Sequence, residues 1–192
     1  MILSNSEILN EINRKSFSIT GLSGTDPSKA PFNTSAVDLR LGHDLSVPDG
    51  NTPATIDLTK PGIATFLTSH SMAKKLTADQ PFKLERFKFV LAQTLEKVDF
   101  PILVNGQCFS ARVEGKSSLA RCGILVHFTA PTIHSGFQGN ITLEIINLGP
   151  FDFLLCPEMP ICQLIIEEVK GAPVFAPNQF RGQTTPEGLK KN

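Results

Sequence analysis

The stretch from Ile141 to Val169, ITLEIINLGPFDFLLCPEMPICQLIIEEV, carries the clearest fold signal in this chain. Its first part places Ile141, Leu143 and Ile145 at every second position, which is the period of a β-strand with one buried face. A turn at Pro157–Pro160 then leads into a second apolar run that ends at Val169. This alternation of strand and turn predicts a β-rich domain.

Other segments show the same periodicity. Apolar residues alternate in Ser35–Leu45, in Phe87–Leu91 and in Phe151–Leu155, and Val98–Val104 contains a Pro that suits the edge of a sheet. Ile63–Leu76 fits either a helix or a long excursion between strands. Many short strands separated by Gly and Pro turns predict a mainly β fold, either a barrel or a jelly-roll-like domain.

The two ends of the chain differ from this β-rich middle. Ser4 and Glu7 form a capping-box pattern ahead of apolar residues, which predicts a short amphipathic helix at the N-terminus. From Pro173 onward the chain is too polar and too rich in Pro and Gly to add to a core. We therefore expect a β domain with an N-terminal helix over residues 1–172, followed by a tail or lid over residues 173–192.

The composition limits the functions that are reasonable. Eighteen basic and eighteen acidic residues leave the 192-residue chain with no net charge, so nothing favours binding to nucleic acid or to an anionic membrane. The four cysteines lack a dense disulfide pattern, and the first residues lack the order of a signal peptide. No apolar run approaches the roughly 18 residues that a membrane helix needs. We expect reduced thiols and a cytoplasmic protein.

A candidate anion-binding segment lies between Gly115 and Gly123. It combines two cations with two adjacent hydroxyls, which suits a phosphorylated small molecule: Lys116, Ser117, Ser118 and Arg121. The two serines also fit the N-cap of one helical turn closed by Gly123, which is a purely structural interpretation. In the functional interpretation, the free backbone N–H groups of that turn and the two hydroxyls form a phosphate cradle.

Glu144 is a candidate for proton transfer. Strand parity places it on the face opposite the buried apolar positions of its strand, yet Ile146 shares that face, so the face is partly apolar. A carboxylate held in such a place suits general acid–base chemistry. The alternative is an exposed carboxylate on a solvent face. His127 and His134 flank the loop before this strand, and neither has an evident metal partner.

The motifs of zinc-dependent and dinucleotide-dependent enzymes do not occur. Zinc deaminases combine H-x-E with P-C-x-x-C, but none of the four histidines has Glu two residues later. Cys156 and Cys162 are spaced too far apart for that cysteine pair. A Walker loop, a G-x-S-x-G elbow and a dinucleotide fingerprint are also lacking. We therefore expect no zinc site.

Several short motifs, in matching order, resemble the dCTP deaminase branch of the dUTPase superfamily. They cover most of the chain and are MILS (1–4), VDLRLG (37–42), KSSLAR (116–121), HFTA (127–130), GFQGNITLEI (136–145) and FRGQ (180–183). The region between Gly50 and Asp79 is poorly covered. On these motifs the chain is identified as a member of that family.

The resemblance implies a distorted β-barrel that associates as a homotrimer, with each active site built from neighbouring subunits. It implies deamination of dCTP to dUTP and ammonia without zinc, with magnesium accompanying the triphosphate. Glu144 would then be the general base and the proton shuttle to the leaving ammonia. Ser117 and the Ala130 carbonyl would position the attacking water, and Arg121 would orient that network.

The resemblance also implies which residues contact the nucleotide. Lys116, Ser118 and Gln183 would contact the triphosphate, and the C-terminal tail would close over it. Thr132 and Ile133 match the segment of the family that binds the rest of the nucleotide.

Four positions depart from the family pattern. Lys116 and Thr132 stand where members usually have Arg, and the tail has Phe175 and Phe180 but no Tyr. His134 stands where members usually have Asp, which in dUTPases and bifunctional deaminases activates the water that cleaves the triphosphate. The loss of this Asp argues against diphosphatase activity and also bears on sugar selectivity.

The sequence is therefore compatible with three functions. The first is a dCTP deaminase. The second is a deaminase with an altered substrate, or a bifunctional deaminase and dUTP diphosphatase. The third is a nucleotide-binding regulator without turnover. The combination of Ser117, Arg121 and Glu144 favours an enzyme, whereas the departures favour a binder. An unrelated β-barrel would require all the motifs to coincide by chance.

Overall fold

The computed structural model of the protein describes residues 1–50, 53–103, 106–176 and 182–189. Within these ranges the helices are α1 (Asn5–Asn13), α2 (Ile63–Ser69) and α3 (Ser117–Ala120). The strands are β1 (Ser18–Thr20), β2 (Phe32–Asn33), β3 (Ala36–Pro48), β4 (Ser71–Lys75), β5 (Phe82–Leu84), β6 (Phe89–Asp99), β7 (Cys108–Gly115), β8 (Ile124–Val126), β9 (Thr132–Ile133), β10 (Gln138–Asn147), β11 (Phe153–Leu155) and β12 (Pro160–Val169).

Ten of these strands form one antiparallel sheet that curls into a half-barrel, and β5 and β11 form a separate pair. The main path runs β8-β10-β6-β3-β12-β7-β9, with β1 added to β6 and with β2 and β4 added to β3. The prediction of a mainly β fold is confirmed. The central strand β3 is long enough to pair with β12 through its first half and with β6 and β4 through its second half.

The predicted N-terminal helix is confirmed. Helix α1 begins after Ser4, whose side chain accepts a hydrogen bond from the Glu7 backbone N at 3.3 Å. This bond satisfies one of the N–H groups that have no partner within the first turn of a helix. The short helix packs Ile8 into the core with none of its surface exposed.

The structure differs from the sequence expectations at three places. Strand β6 ends at Asp99, ahead of Pro101, so the strand predicted over Val98–Val104 is confirmed at Val98 and Asp99 and wrong over residues 100–103, and Val104 lies outside the described residues. Pro lacks the N–H that a continuing ladder would need.

The region Ile63–Leu76 is neither of the two expected forms, because it divides into helix α2 and strand β4. Phe151 is 67% exposed rather than buried with its neighbours.

A buried ion pair joins the two long central strands. Glu96 on β6 is 1% exposed and accepts hydrogen bonds from the backbone N and the Nε of Arg40 on β3, both at 2.7 Å. The remaining guanidinium nitrogens donate to the Gly21 carbonyl at 2.6 Å and to Glu158 at 3.3 Å. One Arg side chain therefore connects two strands and two loops.

The four cysteines are unpaired, as expected from the sequence. Cys108 and Cys162 are buried in the core, whereas Cys122 is exposed beside α3. Burial raises the pKa of the Cys162 thiol, and the nearby Glu96 carboxylate raises it further. Cys162 is therefore an inert core residue rather than a reactive thiol.

We predict a pH-dependent contribution of Glu11 to stability. The Ser16 hydroxyl and then the Arg14 guanidinium hold the pKa of the buried Glu11 carboxyl below its usual value. A lowered folded-state pKa stabilises the fold above the unfolded-state pKa, and this stabilisation is lost as the pH falls through the folded-state pKa. Glu11→Gln should therefore cost about 1 kcal/mol at pH 7, and the difference from the parent should vanish in acid.

The measurement is urea unfolding between pH 3 and pH 7. Glu7→Gln is the matched control, because Glu7 lies on the same helix and approaches Arg14 only to 3.8 Å with a 44% exposed side chain. A pH-independent effect of Glu11→Gln would contradict the prediction.

Candidate active site

The outer face of β10 carries Glu144 among apolar neighbours. Ile141, Leu143 and Ile145 point into the core, whereas Glu144 lies on the other face and its side chain is 29% exposed. The register with β6 places Leu91, a buried residue, directly opposite Glu144. The interpretation of this face as partly apolar is confirmed, and Glu144 is not an open solvent-facing carboxylate.

His127 contacts Glu144 directly. Its Nδ1 lies 3.0 Å from Glu144 Oε2, its side chain is 8% exposed, and its backbone N donates to the Glu144 carbonyl at 2.8 Å. His127 has a φ of 55°, in the left-handed region that a non-glycine residue rarely adopts. The structure thus holds His127 in an uncommon backbone conformation beside the carboxylate.

The pair leaves polar atoms without well-aligned partners. Neither ring nitrogen of His127 nor Oε2 of Glu144 makes a directed hydrogen bond to any other described residue. A buried polar atom without a partner costs about 1–3 kcal/mol. Such atoms in a native protein are typical of a place where a ligand or water binds.

Sequence reasoning missed His127 as a functional residue. The contact arises from the pairing of β8 with β10, which places Val126 opposite Ile145 and so brings His127 to Glu144. This pairing joins segments about twenty residues apart and has no local sequence pattern.

A cavity of about 940 Å³ opens over this face. Five of the predicted site residues line it: Ala130, Thr132, Ile133, Glu144 and Gln183. His127 and His134 line it as well. Its volume lies within the range typical of small-molecule sites, about 300–1,000 Å³.

The other four predicted residues do not line this cavity. Lys116, Ser117, Ser118 and Arg121 lie at helix α3, where the two serines and Arg121 are exposed. The prediction that the serines cap this helix is wrong. The N-cap is Lys116, whose carbonyl accepts hydrogen bonds from the backbone N of Leu119 and Ala120, and the cap makes no side-chain hydrogen bond. The Ser117 and Ser118 side chains therefore do not cap the helix.

Lys116 already has an ionic partner. Its Nζ forms a short salt bridge with Asp38 of β3, and both side chains are mostly buried. The VDLRLG and KSSLAR motifs therefore meet in space through this pair. Lys116 is less free than Arg121 to contact an external anion.

Two glycines anchor α3 to the end of β10. Gly123 has a φ of 87°, and its carbonyl accepts a hydrogen bond from Leu148 N at 2.8 Å. A Cβ on Gly149 would overlap the Cys122 carbonyl. The close approach of these two turns requires both glycines and holds α3 at the end of the strand that carries Glu144.

The cavity offers little positive charge. Among the described residues that line it, none is Lys or Arg, and the ionisable ones are Glu144, Glu187, His127 and His134. A triphosphate needs cationic partners. This cavity therefore fits the uncharged part of a nucleotide better than its phosphates.

The C-terminal segment packs on the same strand. Gln183 is 5% exposed and donates from Nε2 to the Asn140 carbonyl at 3.1 Å, and Gly182 N donates to the Gln138 carbonyl at 2.8 Å. Gln93 adds a bond from its Nε2 to the Thr185 carbonyl at 2.9 Å. The Gln183 amide is thus directed at the backbone of β10. Phe180 and Arg181, which the FRGQ motif includes, lie outside the described residues.

The family of this chain follows from its match to known proteins. A family model described as dCTP deaminase-like matches residues 2–169. The chain belongs to the dCTP deaminase-like family.

Two relatives within this family carry different names. The Methanosphaera stadtmanae protein named "dCTP deaminase, dUMP-forming" is 36% identical, over 81% of this chain and 78% of its own. The Haloarcula marismortui protein named "dCTP deaminase" is 32% identical, over 99% of this chain and 94% of its own. The similar identities do not distinguish the dUMP-forming name from the other.

A solved structure shares the fold of this chain. The 2'-deoxycytidine 5'-triphosphate deaminase of Agrobacterium tumefaciens superposes with a TM-score of 0.63 at 19% sequence identity. The match covers 88% of this chain and 47% of the Agrobacterium chain. This chain therefore spans about half the length of the Agrobacterium chain. At this identity the likeness concerns the fold alone.

The described part of the chain contains neither a metal-binding cluster nor a membrane-spanning helix. No three residues of the types His, Cys, Asp and Glu are grouped so that they could hold a metal ion. No helix there is long and apolar enough to span a membrane.

We predict that Glu144→Leu stabilises the protein. The change removes a buried oxygen that lacks a hydrogen bond, so the free energy of unfolding should rise by about 1 kcal/mol and Tm by about 2–4 °C. Functional sites typically carry such unfavourable groups. Differential scanning calorimetry measures the shift.

Gln93→Leu is the matched control on the neighbouring strand. Its amide is buried and hydrogen-bonded to Thr185, so this substitution should lower Tm. A fall of Tm in both variants would contradict the view that Glu144 is held in an unsatisfied state.

Proposed function

We propose that this protein deaminates dCTP to dUTP and ammonia. The observation that carries the proposal is the half-buried Glu144 carboxylate, 3.0 Å from His127, in the wall of a cavity large enough for a nucleoside. Family membership supports the substrate class.

In the proposed reaction Glu144 acts as the general base. It accepts a proton from a water molecule while the water oxygen bonds to C4 of cytosine. As the C4–O bond forms, the electrons of the C4–N3 double bond move to N3. The proton on Glu144 then passes to N4, the C4–N4 bond breaks and ammonia leaves, and the remaining hydroxyl proton moves to N3 as the C4 carbonyl forms. A positioned base typically contributes roughly 10²–10⁴-fold to such a step. The Ala130 carbonyl and the Ser117 hydroxyl would hold the water, and Arg121 would orient that network.

His127 would position the base. The ring Nδ1 lies 3.0 Å from Glu144 Oε2, and with its proton on Nδ1 a small rotation during the reaction would align it to donate to that oxygen and fix the direction of the carboxylate. A mobile carboxylate would lose the alignment on which proton transfer depends. His127 is therefore proposed as a positioning residue that does not itself contact the reacting atoms.

We further propose that the site is completed by a second copy of the chain, in a homotrimer. The cavity has the base and room for a nucleoside but no described Lys or Arg, whereas exposed Ser117, Ser118 and Arg121 lie outside it. A neighbouring subunit would supply Ser117 and Arg121 to the water network and Ser118 to the triphosphate. Lys116 would contact the triphosphate from its position beside Asp38.

The remaining contacts follow from the same arrangement. Thr132 and Ile133 would contact the nucleoside part, and Gln183 would bring the C-terminal tail, residues 173–192, to the triphosphate. Magnesium would arrive on the triphosphate oxygens as part of the substrate. The unpaired cysteines fit a reducing compartment, and we propose the cytoplasm.

A second candidate function is a bifunctional deaminase that also releases pyrophosphate. It is favoured by the relative named "dUMP-forming". It is disfavoured by His134, which lines the cavity where the family pattern has Asp.

The first prediction is that the protein with dCTP and magnesium releases ammonia without pyrophosphate. Both products are followed in one incubation, and Glu144→Gln is the control that should abolish ammonia release. Pyrophosphate together with ammonia would establish the bifunctional reaction. Binding of dCTP without any ammonia would overturn the deaminase and leave a nucleotide-binding regulator.

The second prediction concerns the shared site. Glu144→Gln and Arg121→Ala should each be inactive alone, but subunits mixed by co-expression should recover activity. Random assembly of a site that takes Glu144 from one copy and Arg121 from another should yield about one quarter of the parent activity. Mixtures as inactive as the single variants would place both residues in one subunit's site.

A further inference from the structure

Helix α2 presents two apolar side chains to the cavity that contains Glu144. All seven of its residues are at least partly exposed, although its sequence IATFLTS is largely apolar. Ile63 and Leu67 are four positions apart, so they lie on one face of the helix. Both line the cavity, together with Leu91 of β6.

The helix lies in the connection between β3 and β4, and the antiparallel pairing of these two strands holds its C-terminal end. His70 ends the helix, its ring stacks on Phe66 at a centroid distance of 4.1 Å, and its carbonyl accepts a hydrogen bond from Asp49 N at 2.8 Å. Strand β4 follows directly and pairs with β3. At the other end, the helix begins after Gly62, which has a φ of 109°. Ile63 and Leu67 are therefore placed over the cavity by the pairing of β3 with β4 and not by packing in the core.

An apolar helix face toward water is unfavourable unless something covers it. The group that covers Ile63 and Leu67 has to fit the cavity beside Glu144. Leu91, which is directly opposite Glu144 on the neighbouring strand, continues the apolar wall up to the carboxylate. Phosphates do not suit such a wall, whereas the pyrimidine ring of a nucleotide does.

We propose that Ile63 and Leu67 contact the pyrimidine ring of the substrate and contribute to selectivity for the base. This inference rests on the proposed deaminase function, because Glu144 must reach C4 of the same ring. It assigns a role to the region between Gly50 and Asp79, which the family motifs do not explain. The wall acts on the base, so its contribution does not depend on how many phosphates the nucleotide carries.

The test is the double variant Ile63→Ala/Leu67→Ala. Each truncation removes part of an apolar contact, and together they should lower kcat/KM for dCTP at least about tenfold. In a Glu144→Gln background, isothermal titration should show the same fold-loss of affinity for dCMP as for dCTP. A role of α2 in phosphate binding would instead reduce the affinity for dCTP more than that for dCMP, which would overturn the proposal.

Two further variants separate contact from folding. Thr65→Ala/Thr68→Ala changes the opposite face of α2 and should leave kinetics and Tm unchanged. Ile63→Val/Leu67→Met keeps the apolar wall and should retain kcat/KM within about threefold. A loss in this conservative variant as large as in the alanine variant would overturn the proposal.

The outcomes also distinguish this inference from the proposed function. An active parent protein with an equally active alanine variant would overturn the role of α2 and leave the deaminase function standing. A parent protein that neither binds nor deaminates dCTP would overturn both.

Discussion

The sheet depends on the buried pair of Arg40 and Glu96. Glu96 lies on β6, which also carries Leu91 below the cavity and pairs with β10. The Arg40–Glu96 pair therefore fixes β6, and β6 positions Glu144 through its pairing with β10. Removing one partner would leave a buried charge uncompensated, which typically costs about 3–5 kcal/mol. The Arg40–Glu96 ion pair and the Glu144 carboxylate are thus separated by only one strand pairing.

The two carboxylates show how one fold treats the same chemical group in two ways. Glu96 is fully bonded and serves the architecture, whereas Glu144 keeps an oxygen without a directed bond beside His127. The surroundings produce this contrast, because Arg40 encloses Glu96 on β6, whereas strand alternation turns Glu144 on β10 toward the cavity. A satisfied carboxylate stabilises the fold, and an unsatisfied one remains available to a substrate.

Local patterns were sufficient to predict what depends on neighbouring residues. The capping box at Ser4 and the alternation around Glu144 predicted a helix and a strand that the structure contains. Contacts between distant segments were not predictable in this way. The approach of His127 to Glu144 depends on the pairing of β8 with β10, and the position of α2 depends on the pairing of β3 with β4. Pro101 was interpreted as an edge-strand residue, although its missing N–H marks the place where β6 has already ended.

The pairing of β10 with β6 is irregular between Asn140 and Thr142, because these two positions pair with Lys97 and Gln93 and the extra residues lie in β6. This placement of the bulge has an evolutionary consequence. A regular strand can gain or lose residues only in pairs, because a single insertion would turn Glu144 into the core and its buried neighbours outward. A bulge accommodates one extra residue without changing the parity beyond it. Descendants of this chain can therefore change length within the β6 bulge, between Gln93 and Lys97, whereas from Thr142 to Asn147 of β10 only changes of two residues keep Glu144 on the side of the cavity.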